Sequence, residues 1–232
     1  MRNFLHVKKS RQVATGILAL WLISAPEVFA QDERRIFVGA LFGIAALSAD
    51  GGVTTMPPDA ALSTYEPHNG FTLNVFAGAH PAEYFSLQGN YMGNRNDLTL
   101  ISSFVTPQGG GFYEQRRTSA QHAVVADALV YFRRLDSRVR PYLGTGLAIV
   151  RFKASVIDST SSGLAAPAGD ITATHVALRS HVGIDLRLSG RTAFRYSFSE
   201  TIGGNPISPH LSPPGQRGLM NFQNLFGILT RF

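Results

Sequence analysis

From residue 31 onward, apolar and polar residues alternate with period two, and helical periodicity is nearly absent. Such alternation marks strands with one apolar and one polar face. The clearest run is "THVALRSHVGIDLRL" at 174–188. It places Val176, Leu178, Val182, Ile184, Leu186 and Leu188 on one face and His175, Arg179, His181, Asp185 and Arg187 on the other. In "FTLNVFAGA", Phe71, Leu73, Val75 and Ala77 oppose Thr72, Asn74 and Gly78. In "YFSLQGNYMG", Phe85, Leu87 and Tyr91 oppose Ser86, Gln88 and Asn90. In "TAFRYSFS", Phe194, Tyr196 and Phe198 oppose Arg195, Ser197 and Ser199. The pattern predicts eight strands, near 35–48, 70–80, 84–93, 119–134, 139–153, 171–188, 191–202 and 218–232. The first, fourth and fifth are apolar on both faces, so alternation does not fix their orientation.

The connections alternate in length. "HPAE", "RLDSR" and "LSGR" are short turns, whereas 49–69, 94–118, 154–170 and 203–217 are long and rich in Gly, Pro and Ser. Short turns at one end and long loops at the other are the pattern of an outer-membrane barrel. Lipid offers backbone groups no partner, so strands can span it only as a closed barrel. A tilted spanning strand needs about ten residues, which these runs supply. The expected fold is all-β: an eight-stranded antiparallel up-and-down transmembrane β-barrel, apolar toward lipid and polar toward the lumen.

The first thirty residues read as a leader. Arg2, Lys8, Lys9 and Arg11 precede the apolar "VATGILALWLISA", and "VFA" sets small residues before a cleavage point after Ala30. The expected organisation is a signal peptide at 1–30 and a barrel domain at 31–232, delivered to the cell outer membrane. The whole chain carries +6; without the leader, which holds four cations and one anion, the net charge is about +3. There is no dense basic stripe, so nucleic acid is not an expected partner. The absence of cysteine excludes disulfides, thiolate metal sites and cysteine nucleophiles. No cofactor or metal is expected.

Charge also segregates along the chain. On this topology Arg34, Arg35, Arg133, Arg134, Arg138, Arg140, Arg187, Arg191 and Arg231 fall at the periplasmic rim, where anionic headgroups favour cations. Asp50, Asp59, Glu66, Asp97, Glu114, Asp158 and Asp170 fall in the long loops.

With its leader, eight alternating runs and terminal "FGILTRF", the chain resembles the small OmpA/OmpX-like outer-membrane barrels of Gram-negative bacteria. "IFVGALFGIAALSADGG" and "VRPYLGTGLAI" are similar to the generic outer-membrane β-barrel domain family. The resemblance implies that the last strand is read by the barrel-assembly machinery, through Phe226, Gly227, Ile228 and the final Phe232. Thr230 departs from the family's apolar pattern. With nothing after Phe232 a bare barrel is expected, without the peptidoglycan-binding domain that larger relatives carry, and outer-membrane lipids are its expected partners.

An eight-stranded barrel is just wide enough for its own side chains to fill. The expected inward polar set is Asn74, Gln88, Asn90, Asp127, Arg179, His181, Asp185, Arg187 and Arg195. Buried charges must be paired and hydrogen-bonded. These residues therefore read as a space-filling network, with a gated path for small ions as the alternative. A three-residue loop, Ser189-Gly190-Arg191, would pair Leu188 with Thr192, with Gly190 supplying a left-handed residue. That register sets Asp185 opposite Arg195, as an ion pair, and His181 opposite Ser199.

Catalysis has weak support. His181, Ser199 and Glu200 are the nearest acyl-transfer candidates, but Glu200 lies on the face opposite Ser199; His175 is a looser one. "TPQGGG" has no lysine or following helix, so it is a loop tip and not a phosphate cradle. "PISPHLSPP" reads as a rigid surface loop. The expected role is non-enzymatic: structural or surface-interaction, with an unidentified extracellular ligand at the loops. A small ion-conducting pore or a lipid-modifying enzyme are the alternatives. A soluble lipocalin-like binder would need an apolar interior.

Overall fold

The structure is a computed structural model that describes residues 35–49, 51–56 and 58–232. The leader, Arg34 and Asp50 lie outside the described residues. Among the described residues ten strands form: β1 (Ile36–Ser48), β2 (Gly52–Met56), β3 (Asp59–Pro67), β4 (Gly70–Ala82), β5 (Phe85–Thr106), β6 (Gly109–Tyr131), β7 (Val139–Ser162), β8 (Ile171–Arg187), β9 (Thr192–Gly204) and β10 (Gly218–Arg231). Eight of them close into a ring, β5-β4-β1-β10-β9-β8-β7-β6, with β6 pairing back onto β5. Every pairing in the ring is antiparallel. No backbone edge in the ring is left open to lipid, as a spanning sheet requires.

Much of what reads as loop is sheet. β5, β6 and β7 are 22, 23 and 24 residues long, more than twice the roughly ten that a tilted crossing needs. The segment 94–118 is a continuation of the β5–β6 ladder, from Asn94↔Gln121 to Thr106↔Gly109. The segment 49–69 forms the β2–β3 hairpin, and β3 runs along the outer end of β5 from Pro67↔Leu98 to Ala60↔Val105. The reason is that alternation persists past the apolar band. Asn94, Asn96, Leu98 and Leu100 are buried while Arg95 and Asp97 are exposed. An inward apolar side chain favours a paired, extended backbone at that level too.

The two-faced apolar strands now have an orientation. Phe37, Leu41, Ala45 and Leu47 of β1 point inward; Ile36, Val38, Phe42 and Ile44 point outward. Val125, Leu129 and Tyr131 of β6 are buried and Val124 and Val130 exposed. Tyr142, Ala148, Val150 and Phe152 of β7 are buried and Leu143, Leu147 and Ile149 exposed. The lumen is therefore not uniformly polar, contrary to the simple expectation. Outside, side chains such as Val176 at 68% and Leu147 at 64% exposure form an apolar girdle. That girdle would be costly in water and is favourable in lipid.

Candidate functional site: the lumen and its two mouths

The central lumen is built from positions that share one parity along each strand. Asn74 comes from β4, Gln88 and Asn90 from β5, Asp127 from β6, Arg179, His181 and Asp185 from β8, and Arg195 from β9; all are buried. The β8–β9 register sets Asp185 against Arg195 and His181 against Ser199. Arg195 grips Asp185 with two bonds, Nε to Oδ1 at 2.6 Å and Nη2 to Oδ2 at 2.9 Å. Such a bidentate charged pair is strong and directional. Arg195 also donates to Tyr131 Oη at 2.7 Å and to Gln88 Oε1 at 2.8 Å. The chain continues from Gln88 Nε2 to Asn90 Oδ1 at 2.5 Å and from Asn90 Nδ2 to Asp127 Oδ2 at 2.9 Å. Arg179 Nη1 donates to the same Asp127 oxygen, and Asn74 donates to Asn90 at 3.3 Å. His181 lies beside this chain, its Nε2 3.4 Å from Asp127 Oδ2 and its ring edge-on to Tyr142.

Room for these side chains comes from glycines on β7. A methyl group on Gly144 would lie 2.1 Å from His181 Nε2, and one on Gly146 would lie 2.1 Å from Asp127 Oδ1. Arg187 departs from the expected set. It is half-buried at the inner mouth, lining a cavity of about 260 Å³ with Glu83, Arg134, Leu135, Asp136, Gly190 and Arg231. At the end of β8 the wall no longer surrounds it. The β8–β9 turn also departs from expectation in detail. Leu188 pairs with Thr192, but Gly190 is not among the positive-φ glycines, which are Gly109, Gly163 and Gly169. The Ser189 hydroxyl closes the turn instead, accepting from the backbone N–H groups of Arg191 at 3.3 Å and Thr192 at 3.1 Å.

At the inner mouth, two arginines expected at the headgroup rim point into the barrel. Arg140 and Arg231 are buried. The Arg140 guanidinium sits 3.7 Å over the Tyr131 ring and donates to Glu83 O at 3.2 Å and Arg133 O at 3.5 Å. Arg231 Nη1 donates to Leu135 O at 3.2 Å. Parity carries the signal for both, since Arg140 shares the face of Tyr142, and Arg231 the face of Leu225 and Leu229. His80 and Tyr131 are also buried here, and the sequence carries no signal for them, since aromatic residues on an inward face look like ordinary core.

At the outer mouth the Pro-rich segment 203–217 is not a surface loop. It turns through a short 3₁₀ helix at Ser208–His210 and buries Ile207 and Leu211 completely or nearly so. These pack with Leu47, Tyr65, Leu98, Leu100, Tyr113, Phe152, Ile171 and Leu219. Asn205 Oδ1 accepts from the Ile207 and Ser208 N–H groups, Tyr113 Oη donates to His210 O, and Ser63 Oγ donates to Pro213 O. The 154–170 connection is tied in as well. Arg117, fully buried, donates to Ala154 O, Pro167 O and Gly169 O, and its Nε donates to Gln115 Oε1 at 2.6 Å.

The acyl-transfer candidates do not assemble. Ser199 Oγ donates to Gln223 Oε1 at 3.4 Å rather than to His181, and both are buried in the lumen. Glu200 lies on the outward face of β9, and His175 lines a separate rim cavity with Asn205 and Arg217. Phe226 and Ile228 of β10, and Phe232 just past its end, face outward and exposed, and Phe226 packs edge-on to Phe42 at 4.4 Å. Gly227 faces inward, where a methyl group would lie 2.1 Å from Ala40 O.

A closed antiparallel ring with an apolar girdle and a side-chain-filled interior defines an integral β-barrel of the outer membrane. The chain belongs to the outer membrane protein beta-barrel domain family, whose model matches residues 15–223. Among solved structures, Neisserial surface protein A is 14% identical with a TM-score of 0.53, over 85% of this chain and 97% of that one. OprG from Pseudomonas aeruginosa is 12% identical with a TM-score of 0.49, over 86% and 97%. Ail, the attachment invasion locus protein of Yersinia pestis, is 11% identical with a TM-score of 0.46, over 86% and 99%. At these identities what is shared is the fold. No curated protein matches by sequence.

Proposed function

We propose that this barrel is a non-enzymatic surface protein, which anchors a rigid extracellular platform in the outer membrane and does not conduct. The observation that carries this reading is the seating of Ile207 and Leu211 in the outer mouth, above a lumen filled by the Asp185–Arg195 and Asp127–Arg179 pairs. A path for ions would have to displace both layers. The platform consists of the outer ends of β5, β6 and β7 with the β2–β3 hairpin. It carries exposed apolar residues, among them Val53, Leu62, Val105, Phe112 and Ile157, as an extracellular ligand site would. The reading includes cleavage after Ala30 and recognition of the β10 face of Phe226, Ile228 and Phe232 by the assembly machinery. Phe232→Ala should lower the yield of folded, heat-shifted protein more than Phe222→Ala.

The deciding experiment is conductance of the refolded barrel in planar bilayers. Silence is expected. Discrete, salt-dependent steps would overturn the platform reading in favour of a pore.

A further inference from the structure

The inner end of the lumen holds more positive charge than its carboxylates neutralise. Arg140, Arg195 and Arg231 are all at least nine-tenths buried and gather around one carboxylate, Asp185. That carboxylate is committed to Arg195 at 2.6 and 2.9 Å, and Arg231 Nη2 stands 4.0 Å from it. Arg140 has no carboxylate within ion-pair distance among the described residues. Two donors of this cluster, Arg140 Nη1 and Arg231 Nε, are buried without a hydrogen-bond partner. Unpaired buried charge is strongly unfavourable. Arg231 also lines the cavity of about 260 Å³ that Arg187 and Arg134 share with it, at the end where the short turns lie. The carboxylates on that cavity, Glu83 and Asp136, are both engaged by Arg134, at 2.7 and 3.9 Å. Among the described residues Arg187 thus has no carboxylate within ion-pair distance, and Arg231 has only the distant Asp185, already held by Arg195.

We infer that the inner mouth is an oxyanion site, in which Arg231 and Arg187 hold a phosphate or carboxylate group from the periplasmic side. Guanidinium groups match the planar, two-oxygen edge of such anions. The bound anion supplies the countercharge that Asp185, held by Arg195, does not give to Arg231 and Arg187. The cavity admits a free inorganic anion or the anionic end of a larger molecule, such as a phospholipid headgroup at the inner leaflet.

The test is unfolding of the refolded barrel in maltoside micelles, titrated with inorganic phosphate at ionic strength held constant with sodium chloride. Phosphate should raise the urea midpoint saturably, and acetate should do so more weakly. Arg231→Gln should weaken the apparent phosphate affinity at least about tenfold, the scale of one lost hydrogen bond to a charged group. Arg187→Gln, at a half-buried position where folding is not in question, should weaken it several-fold. A lipid arm repeats the measurement in nanodiscs with and without phosphatidylglycerol. If the anionic lipid abolishes the response to free phosphate, the headgroup is the natural occupant; if the response persists, the free anion is. Equal midpoints in phosphate and chloride, or a phosphate response unchanged in Arg187→Gln and Arg231→Gln, would overturn the inference.

Discussion

Leu100 and Arg195 both face the barrel axis and both are closed off from solvent, at 0% and 1% exposure. Around Leu100 are Tyr65, Leu98, Tyr113, Phe152 and the inserted Ile207 and Leu211. Around Arg195 are Asp185, Gln88, Tyr131 and the faces of Tyr142 and Phe76. One alternating wall therefore encloses two kinds of interior. The outer one is held by apolar burial and depends on a distant segment folding in. The inner one is held by directional charged bonds, between neighbouring strands for Asp185–Arg195 and across the lumen for Asp127–Arg179 and Arg195–Gln88. Loss of a methylene is graded in the first, whereas loss of one partner in the second strands a charge.

The largest expected effect lies in the inner half. Asp185→Asn or Arg195→Gln alone should cost about 3–5 kcal/mol, because each takes the bidentate partner from a buried charge. The double change should cost clearly less than the sum, since both charges leave together. Urea unfolding in detergent or lipid gives the cycle. Additive effects would mean the two residues do not act as a pair.

In the outer half, Ile207→Ala and Leu211→Ala should each cost about 2–3 kcal/mol, the range for a buried aliphatic side chain cut to Ala where the site relaxes in part. Cleavage within 203–217 by added protease should accelerate at the same time. A cost below about 0.5 kcal/mol, with unchanged cleavage, would show the segment to be surface-bound and erase the contrast between the halves.

A third substitution probes packing within the polar zone. Gly146→Ala should cost about 1–3 kcal/mol, because its methyl would press on Asp127 Oδ1 and, at 2.3 Å, on Ala126 O. Gly204→Ala, where a methyl would meet open space, should change little. Equal costs at the two sites would mean that the lumen is loose enough to absorb the methyl.

The inner half was the more legible of the two. On β8, apolar and charged residues occupy opposite parities, so Arg179, His181 and Asp185 declared their face. On β6 and β7 both faces are apolar, because Leu129, Tyr131 and Tyr142 line the lumen while Leu143 and Leu147 meet lipid. Alternation carries no information there. The position of Arg140 and Arg231 near the strand ends points to headgroup cations, and their parity points to the lumen; the structure follows parity. The outer half was hidden for a different reason. Ile207 and Leu211 sit among prolines and serines, and what buries them is Leu98, Leu100 and Tyr113, about a hundred residues earlier. A local window sees the prolines and not the partners.

The smallest expected effect separates two accounts of how the inner pair is aligned. Ser189 Oγ closes the β8–β9 turn with two exposed bonds, to the N–H groups of Arg191 and Thr192. If the turn sets the register, Ser189→Ala should loosen the alignment of Asp185 with Arg195. If the lumen sets it, the turn is dispensable. A slip of one residue would send every charged side chain of one strand into lipid. A slip of two would place Ala193 or Ser197 against Asp185 and strand both charges. Either slip costs far more than two exposed hydrogen bonds, whose donors water can satisfy and which contribute about 0.5 kcal/mol each. Ser189→Ala should therefore lower stability by no more than about 1 kcal/mol, and the double-mutant coupling of Asp185 with Arg195, measured in that background, should be unchanged. A coupling that collapses in the Ser189→Ala background would move control of the register from the lumen to the turn.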